Sequence, residues 1–84
     1  MASGSQSHAE GNITQATGSI SHAEGYATSS TGDESHSEGL GSIASGAASH
    51  AEGDHTTASG PSAHTEGSNT RAYGASSHAE GHET

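Results

Sequence analysis

Six times along the chain a histidine stands two residues before a glutamate: His8/Glu10, His22/Glu24, His36/Glu38, His50/Glu52, His64/Glu66 and His78/Glu80. The pairs recur every fourteen residues without a slip. On an extended strand, side chains two apart share a face, so each imidazole lies beside a carboxylate. Such a pair offers two kinds of chemistry. Imidazole N–H can bond to carboxylate and act as glue between surfaces. Converging imidazoles can also ligate Zn²⁺, Ni²⁺ or Cu²⁺, with glutamate holding the tautomer; this makes His8, His22, His36, His50, His64 and His78 candidate ligands, although no cofactor is required. Ser7, His8 and Glu10 hold the residue types of a hydrolytic triad. Adjacent side chains on a strand point apart, however, so no enzyme is expected.

The elements that position these pairs follow from glycine. Gly4, Gly11, Gly18, Gly25, Gly32, Gly39, Gly46, Gly53, Gly60, Gly67, Gly74 and Gly81 form one series of period seven, and only Gly41 lies outside it. Two residues before each glycine stands Ala, Ser or Thr, as in Ala9, Ala16, Ala23, Ser30 and Thr65. Four residues before stands the same set, as in Ser7, Thr14, Ser21, Thr28 and Ala63. Both slots look the same way along a strand, toward an interior that takes only small groups. The pattern predicts an all-β solenoid with two short strands of four or five residues in each fourteen-residue coil. Glycine at each corner then permits positive φ or close backbone approach. Residues 1–84 read as a single repeat domain of six such coils, a segment of a longer fibrous protein. At strand spacing the stack is a rod of about 30 Å.

The remaining strand slots face outward, and the two halves of the coil differ there. One outward face is the uniform His–Glu series. The other is varied: Gln15/Thr17, Ser29/Thr31, Ile43/Ser45, Thr57/Ser59 and Arg71/Tyr73. A varied face is what water tolerates. A uniform face predicts a uniform neighbour, most simply another copy of itself. Turn residues Ile13, Ile20, Tyr26 and Leu40 are expected to patch against a neighbouring chain, and Pro61 falls where a missing N–H costs little.

Composition limits the other options. Apolar residues make up 25% of the 84, and most of them are alanine. That content resembles a disordered chain, but disorder has no use for a strict glycine register. The formal net charge is −9, with a single Lys or Arg, Arg71, so no nucleic-acid partner is expected. No run is apolar enough for membrane insertion, and the N-terminus lacks the basic and apolar regions of a signal peptide. Without cysteine there is neither a disulfide scaffold nor a thiolate site.

The fourteen-residue coil with its small-x-Gly register resembles the left-handed parallel β-roll of trimeric autotransporter adhesin heads (YadA-like). The repeated Ser21-His22-Ala23-Glu24-Gly25 (SHAEG) pentapeptide is similar to segments of phage and prophage tail-fibre-like proteins. In the adhesin family the pentapeptide is typically Ser-Val-Ala-Ile-Gly, with Val and Ile meeting around the three-fold axis. The resemblance implies a homotrimer whose centre carries a polar ladder: His8, Glu10, His22, Glu24, His36, Glu38, His50, Glu52, His64, Glu66, His78 and Glu80. It further implies an extracellular shaft or head segment at a cell surface or on a virion fibre. The alternative is a metal-binding trimer with His sites on the three-fold axis. Hydrogen-bonded pairing predicts raised histidine pKa values and greatest stability in mildly acidic solution.

Overall fold

The computed structural model describes residues 2–82. The chain is a parallel β-solenoid with a fourteen-residue repeat. In chain order its strands are β1 (His8–Asn12), β2 (Gln15–Ala16), β3 (His22–Tyr26), β4 (Ser29–Ser30), β5 (His36–Leu40), β6 (Ile43–Ala44), β7 (His50–Asp54), β8 (Thr57–Ala58), β9 (His64–Ser68), β10 (Arg71–Ala72) and β11 (His78–His82). Odd-numbered strands form one six-stranded sheet and even-numbered strands a five-stranded sheet. Each residue pairs with the one fourteen further on, so His8 meets His22 and Gly11 meets Gly25. The described residues contain no helix, and hence none long and apolar enough to cross a membrane.

The two small-residue slots build the interior. Ala16, Ala23, Ala44, Ala51, Ala58, Ala63 and Ala72 are buried, as are Thr14, Ser21, Thr28, Ser30, Ser35, Ser37, Ser42, Ser49, Thr56, Thr65 and Thr70. Apart from four glycines, every buried residue among those described comes from these slots. So little side-chain volume lets the sheets close up. The Cα extents are 31 × 24 × 9 Å, a thin slab rather than a rod, and slightly thinner than the ~10 Å of ordinary facing sheets.

Most of the buried hydroxyls find partners in the turns, whereas that of Thr65 has none. Ser21, Ser35 and Ser49 Oγ donate to the carbonyls of Gly18, Gly32 and Gly46 at 2.7, 2.6 and 2.7 Å. On the opposite edge, Thr28, Ser42 and Thr56 donate to the carbonyls of Glu24, Glu38 and Glu52 at 3.1, 2.7 and 3.0 Å. The serine that opens a pentapeptide therefore closes the turn that precedes its His–Glu strand, and only Ala63 stands in that place without a hydroxyl.

The two strands of a coil are unequal, which the shared heptad pattern does not announce. His-bearing strands run five residues and the others two. In the short ones, consecutive amides share one acceptor: the N–H groups of Thr17 and Gly18 both point at the Ser30 carbonyl, at 3.0 and 3.3 Å. A ladder advances one acceptor per donor pair, so this sharing ends the strand.

The glycines serve packing above all. A Cβ on Gly25 would lie 2.2 Å from the Gly39 carbonyl oxygen, and one on Gly32 equally close to that of Gly46. Gly25 also has φ of +107°, whereas Gly32 needs only the close approach. The left-handed turn position lies instead two residues after each glycine, where Ile13, Ile20, Ala27, Glu34, Ala48, His55, Ser62 and Asn69 have φ of 56–60°. Gly41, the one glycine outside the series, occupies this same slot with φ of 64°. A side chain there costs roughly 1–2 kcal/mol. The compensation is a backbone bond to the preceding coil, such as Ile20 N–H to the Ser5 carbonyl at 2.6 Å and Ala27 N–H to that of Asn12 at 2.8 Å. Pro61 precedes one such position and uses only its carbonyl, which accepts from Ser76 at 2.7 Å.

Candidate functional site

Because Ala9, Ala23, Ser37, Ala51, Thr65 and Ala79 turn inward from the second position of each long strand, the histidine and glutamate on either side turn outward. In-register pairing then stacks all six pairs in one line. Successive imidazoles lie 4.6–4.7 Å apart between centroids. From His22 onward their planes agree to within 9–10°, while His8 is tilted by 27° from His22.

The carboxylates interleave with the rings. His36 Nε2 lies 3.7 Å from Glu24 Oε2 and 3.5 Å from Glu38 Oε2. His50 bridges Glu38 and Glu52 at 3.7 and 3.5 Å, and His64 bridges Glu52 and Glu66 at 3.4 and 3.9 Å. His78 bridges Glu66 and Glu80 at 3.4 and 3.8 Å. His22 contacts Glu24 at 3.3 Å and His8 contacts Glu10 at 3.5 Å. The twelve ladder residues expected from sequence are thus brought together on one face. In the middle coils their side chains are 33–39% exposed.

These contacts are ion-pair distances without hydrogen-bond geometry. Nε2 of His22, His36, His50 and His64 is closed to solvent and has no hydrogen-bond partner. Within one chain the ladder is therefore not the hydrogen-bonded network that the residue types suggest. The protonation energetics also differ from that expectation. His36 is held below the ordinary histidine value, first by burial and then by the like charges of His50 and His22, which outweigh Glu38 and Glu24. Stacking puts imidazole next to imidazole as well as next to carboxylate, and the first contact disfavours charge. Glu66 is lowered chiefly by a hydrogen bond from Glu80, with His78 and His64 adding to it.

Four sets of donors gather three ligand atoms within 4.8 Å of one another: His22, Glu24 and His36; His36, Glu38 and His50; His50, Glu52 and His64; and His64, Glu66 and His78. Each set draws two rings from successive coils and one carboxylate between them. His8 joins the stack of rings without completing such a set among the described residues. The serines that precede ladder histidines take no part, since Ser7, Ser21, Ser35, Ser49 and Ser77 each donate to a glycine carbonyl at 2.6–2.8 Å. A concavity lined by Ala9, Gly11, Ile13, Thr14 and Gln15 carries no titratable side chain.

No family model, curated protein or solved structure matches the chain. The arrangement of the ladder and of the surfaces around it therefore carries the functional reading. The outward face of the five-stranded sheet is mixed, with Ser29 Oγ donating to Gln15 Oε1 at 3.3 Å as its one cross-coil side-chain bond among those described. Ile13, Ile20, Tyr26, Leu40, Ile43 and Tyr73 are exposed, and Tyr26 pairs in register with Leu40 at the end of the His–Glu strands. Sequence reasoning missed the contact of His55 Nδ1 with Asp54 in a turn. Their adjacency was its only signal.

Proposed function

We propose that this chain is a structural shaft or head segment of an extracellular trimeric fibre, of the adhesin-head or tail-fibre kind, with the His–Glu ladders of three copies meeting at its centre. The roll would then be left-handed, as in the YadA-like heads it resembles. One observation carries the reading: a straight, uniform, half-exposed ladder whose shielded ring nitrogens lack hydrogen-bond partners within their own chain. A buried polar atom without a partner is costly, and a second copy can supply donors and acceptors in matching register. Two further features support it. The interior contains only alanine and hydroxyl side chains, a modest apolar reserve for a lone domain. Tyr26 and Leu40 lie exposed at the edge of the same sheet, where a neighbouring chain would cover them. Sedimentation equilibrium tests the proposal. The expected mass is three times the 8.2 kDa of one chain, and a monomer at micromolar concentration overturns it.

A further inference from the structure

We infer that the ladder is a linear array of divalent transition-metal sites, each formed within a single chain by two histidines of successive coils and the glutamate between them. The ligands do not come from a three-fold axis, so the inference does not rest on the fibre reading, and a monomeric chain would bind equally well. Distances carry it. A charge-assisted hydrogen bond between imidazole and carboxylate closes to about 2.7–2.9 Å. The observed contacts are longer, from 3.3 Å for His22–Glu24 to 3.9 Å for His64–Glu66. Two ligands of one tetrahedral Zn²⁺, each about 2.1 Å from the ion, stand about 3.4 Å apart. The ladder is therefore spaced for an ion between ring and carboxylate rather than for a shared proton.

The unpartnered atoms point the same way. The four orphaned nitrogens are the Nε2 atoms of His22, His36, His50 and His64, and each belongs to a donor set. Charge agrees as well. With neutral histidine the ladder stacks one carboxylate per coil in a chain of net charge −9, and divalent cations relieve that repulsion. Imidazole with carboxylate suits Zn²⁺, Ni²⁺ or Cu²⁺ and disfavours Ca²⁺ and Mg²⁺, which prefer all-oxygen sites.

The geometry sets a stoichiometry. Consecutive donor sets share a histidine, and one Nε2 lone pair serves one ion. Occupancy must therefore alternate along the ladder. Pairing His22 with His36 and His50 with His64 gives two ions, and pairing His36 with His50 and His64 with His78 also gives two. Binding also draws neighbouring rings out of their near-parallel stack, because their nitrogens must approach to ligand spacing.

The test is titration of untagged, chelator-stripped full chain with ZnCl₂, followed by calorimetry and by metal analysis after gel filtration. Retention of two Zn²⁺ per chain is expected. Fewer than two, or one per histidine, overturns the alternating geometry. Replacing all four bridging carboxylates, Glu24→Gln, Glu38→Gln, Glu52→Gln and Glu66→Gln, should weaken binding at least tenfold. His55→Ala, outside the ladder, should leave it unchanged. Should the quadruple variant not fold, Co²⁺ substitution of the wild-type chain decides: intense visible bands of four-coordinate nitrogen–oxygen ligation are expected, and the weak bands of an octahedral aquo-like ion refute the proposal. Equal retention of Mg²⁺ also refutes it.

Discussion

A single methyl group separates what the glycine columns permit from what they forbid. Gly32→Ala would place its Cβ against the backbone oxygen of Gly46, where no side-chain rotation gives relief. A loss of about 3 kcal/mol or more in urea unfolding is expected, as for severe overpacking. Gly74→Ala, whose Cβ would meet, among the described residues, only the Ser77 side chain at ordinary contact distance, should change stability by less than about 0.5 kcal/mol. Equal effects at the two positions would refute the column argument. The hydroxyl positions allow a second comparison. Ala63 occupies the slot where Ser21, Ser35 and Ser49 each donate to a glycine carbonyl, and its own amide already reaches Gly60. Ala63→Ser should add about 1 kcal/mol of stability through the missing bond. Thr65 has a buried hydroxyl without a partner in a column where Ala51 and Ala79 are its neighbours. Thr65→Ala should therefore be neutral or stabilising by about 1 kcal/mol, and a clear loss in the midpoint of denaturation would count against that assignment.

The long strand is the element on which pH acts. His36 titrates below its ordinary value of 6.5 in the folded chain because it is partly buried between two other rings. A depressed base favours the neutral form on folding, so its contribution is full above about pH 6.5 and is lost as pH falls through the lowered value. Glu66 acts in the same sense, because a depressed carboxyl loses its contribution as pH falls through its own folded value. Metal-free protein in chelator should therefore melt at a lower temperature near pH 5 than near pH 7.5, followed by circular dichroism, and the reverse order would contradict the His36 assignment. The Glu66 contribution is lost only below its ordinary value of 4.5, as a further fall in melting temperature in more acidic solution. The strand also shows where sequence stops being informative. The fourteen-residue repeat, the inward slots and the alignment of His22 with Glu24 and His36 were legible because each depends only on spacing and side-chain size. The unequal strand lengths were not, since both halves of the coil carry the same small-x-Gly pattern and differ in how Thr17 and Gly18 share an acceptor. The left-handed turn slot was hidden as well, because Ile20, Ala27 and Glu34 carry no preference for it and the bond to the preceding coil decides. Ring stacking and the orphaned nitrogens depend on side-chain torsions that no spacing reveals.

For the whole molecule, register matters more than length. Deleting residues 36–49 removes one complete coil and leaves His22 stacked on His50, so the shortened chain should fold with its strand content and ladder intact. Deleting only residues 36–42 sends every later histidine and glutamate to the opposite sheet and splits the ladder. Circular dichroism should show strands in both variants, while Zn²⁺ capacity should fall from two ions per chain to one in the second alone, because only the sets built on His50, His64 and His78 stay aligned. Retained capacity there would mean that the cation sites do not depend on coil-to-coil alignment. The ring spacing of 4.6–4.7 Å has a further mechanical meaning. Fourteen residues advance the stack by one such step, about a tenth of the reach of the same residues in a fully extended strand. Backbone already touches backbone along the glycine columns, so compression along the stack meets hard contacts immediately and stretching has to break whole rows of amide bonds. The chain thus behaves as a stiff gauge graduated in single coils, whose extent changes by whole steps and by nothing in between.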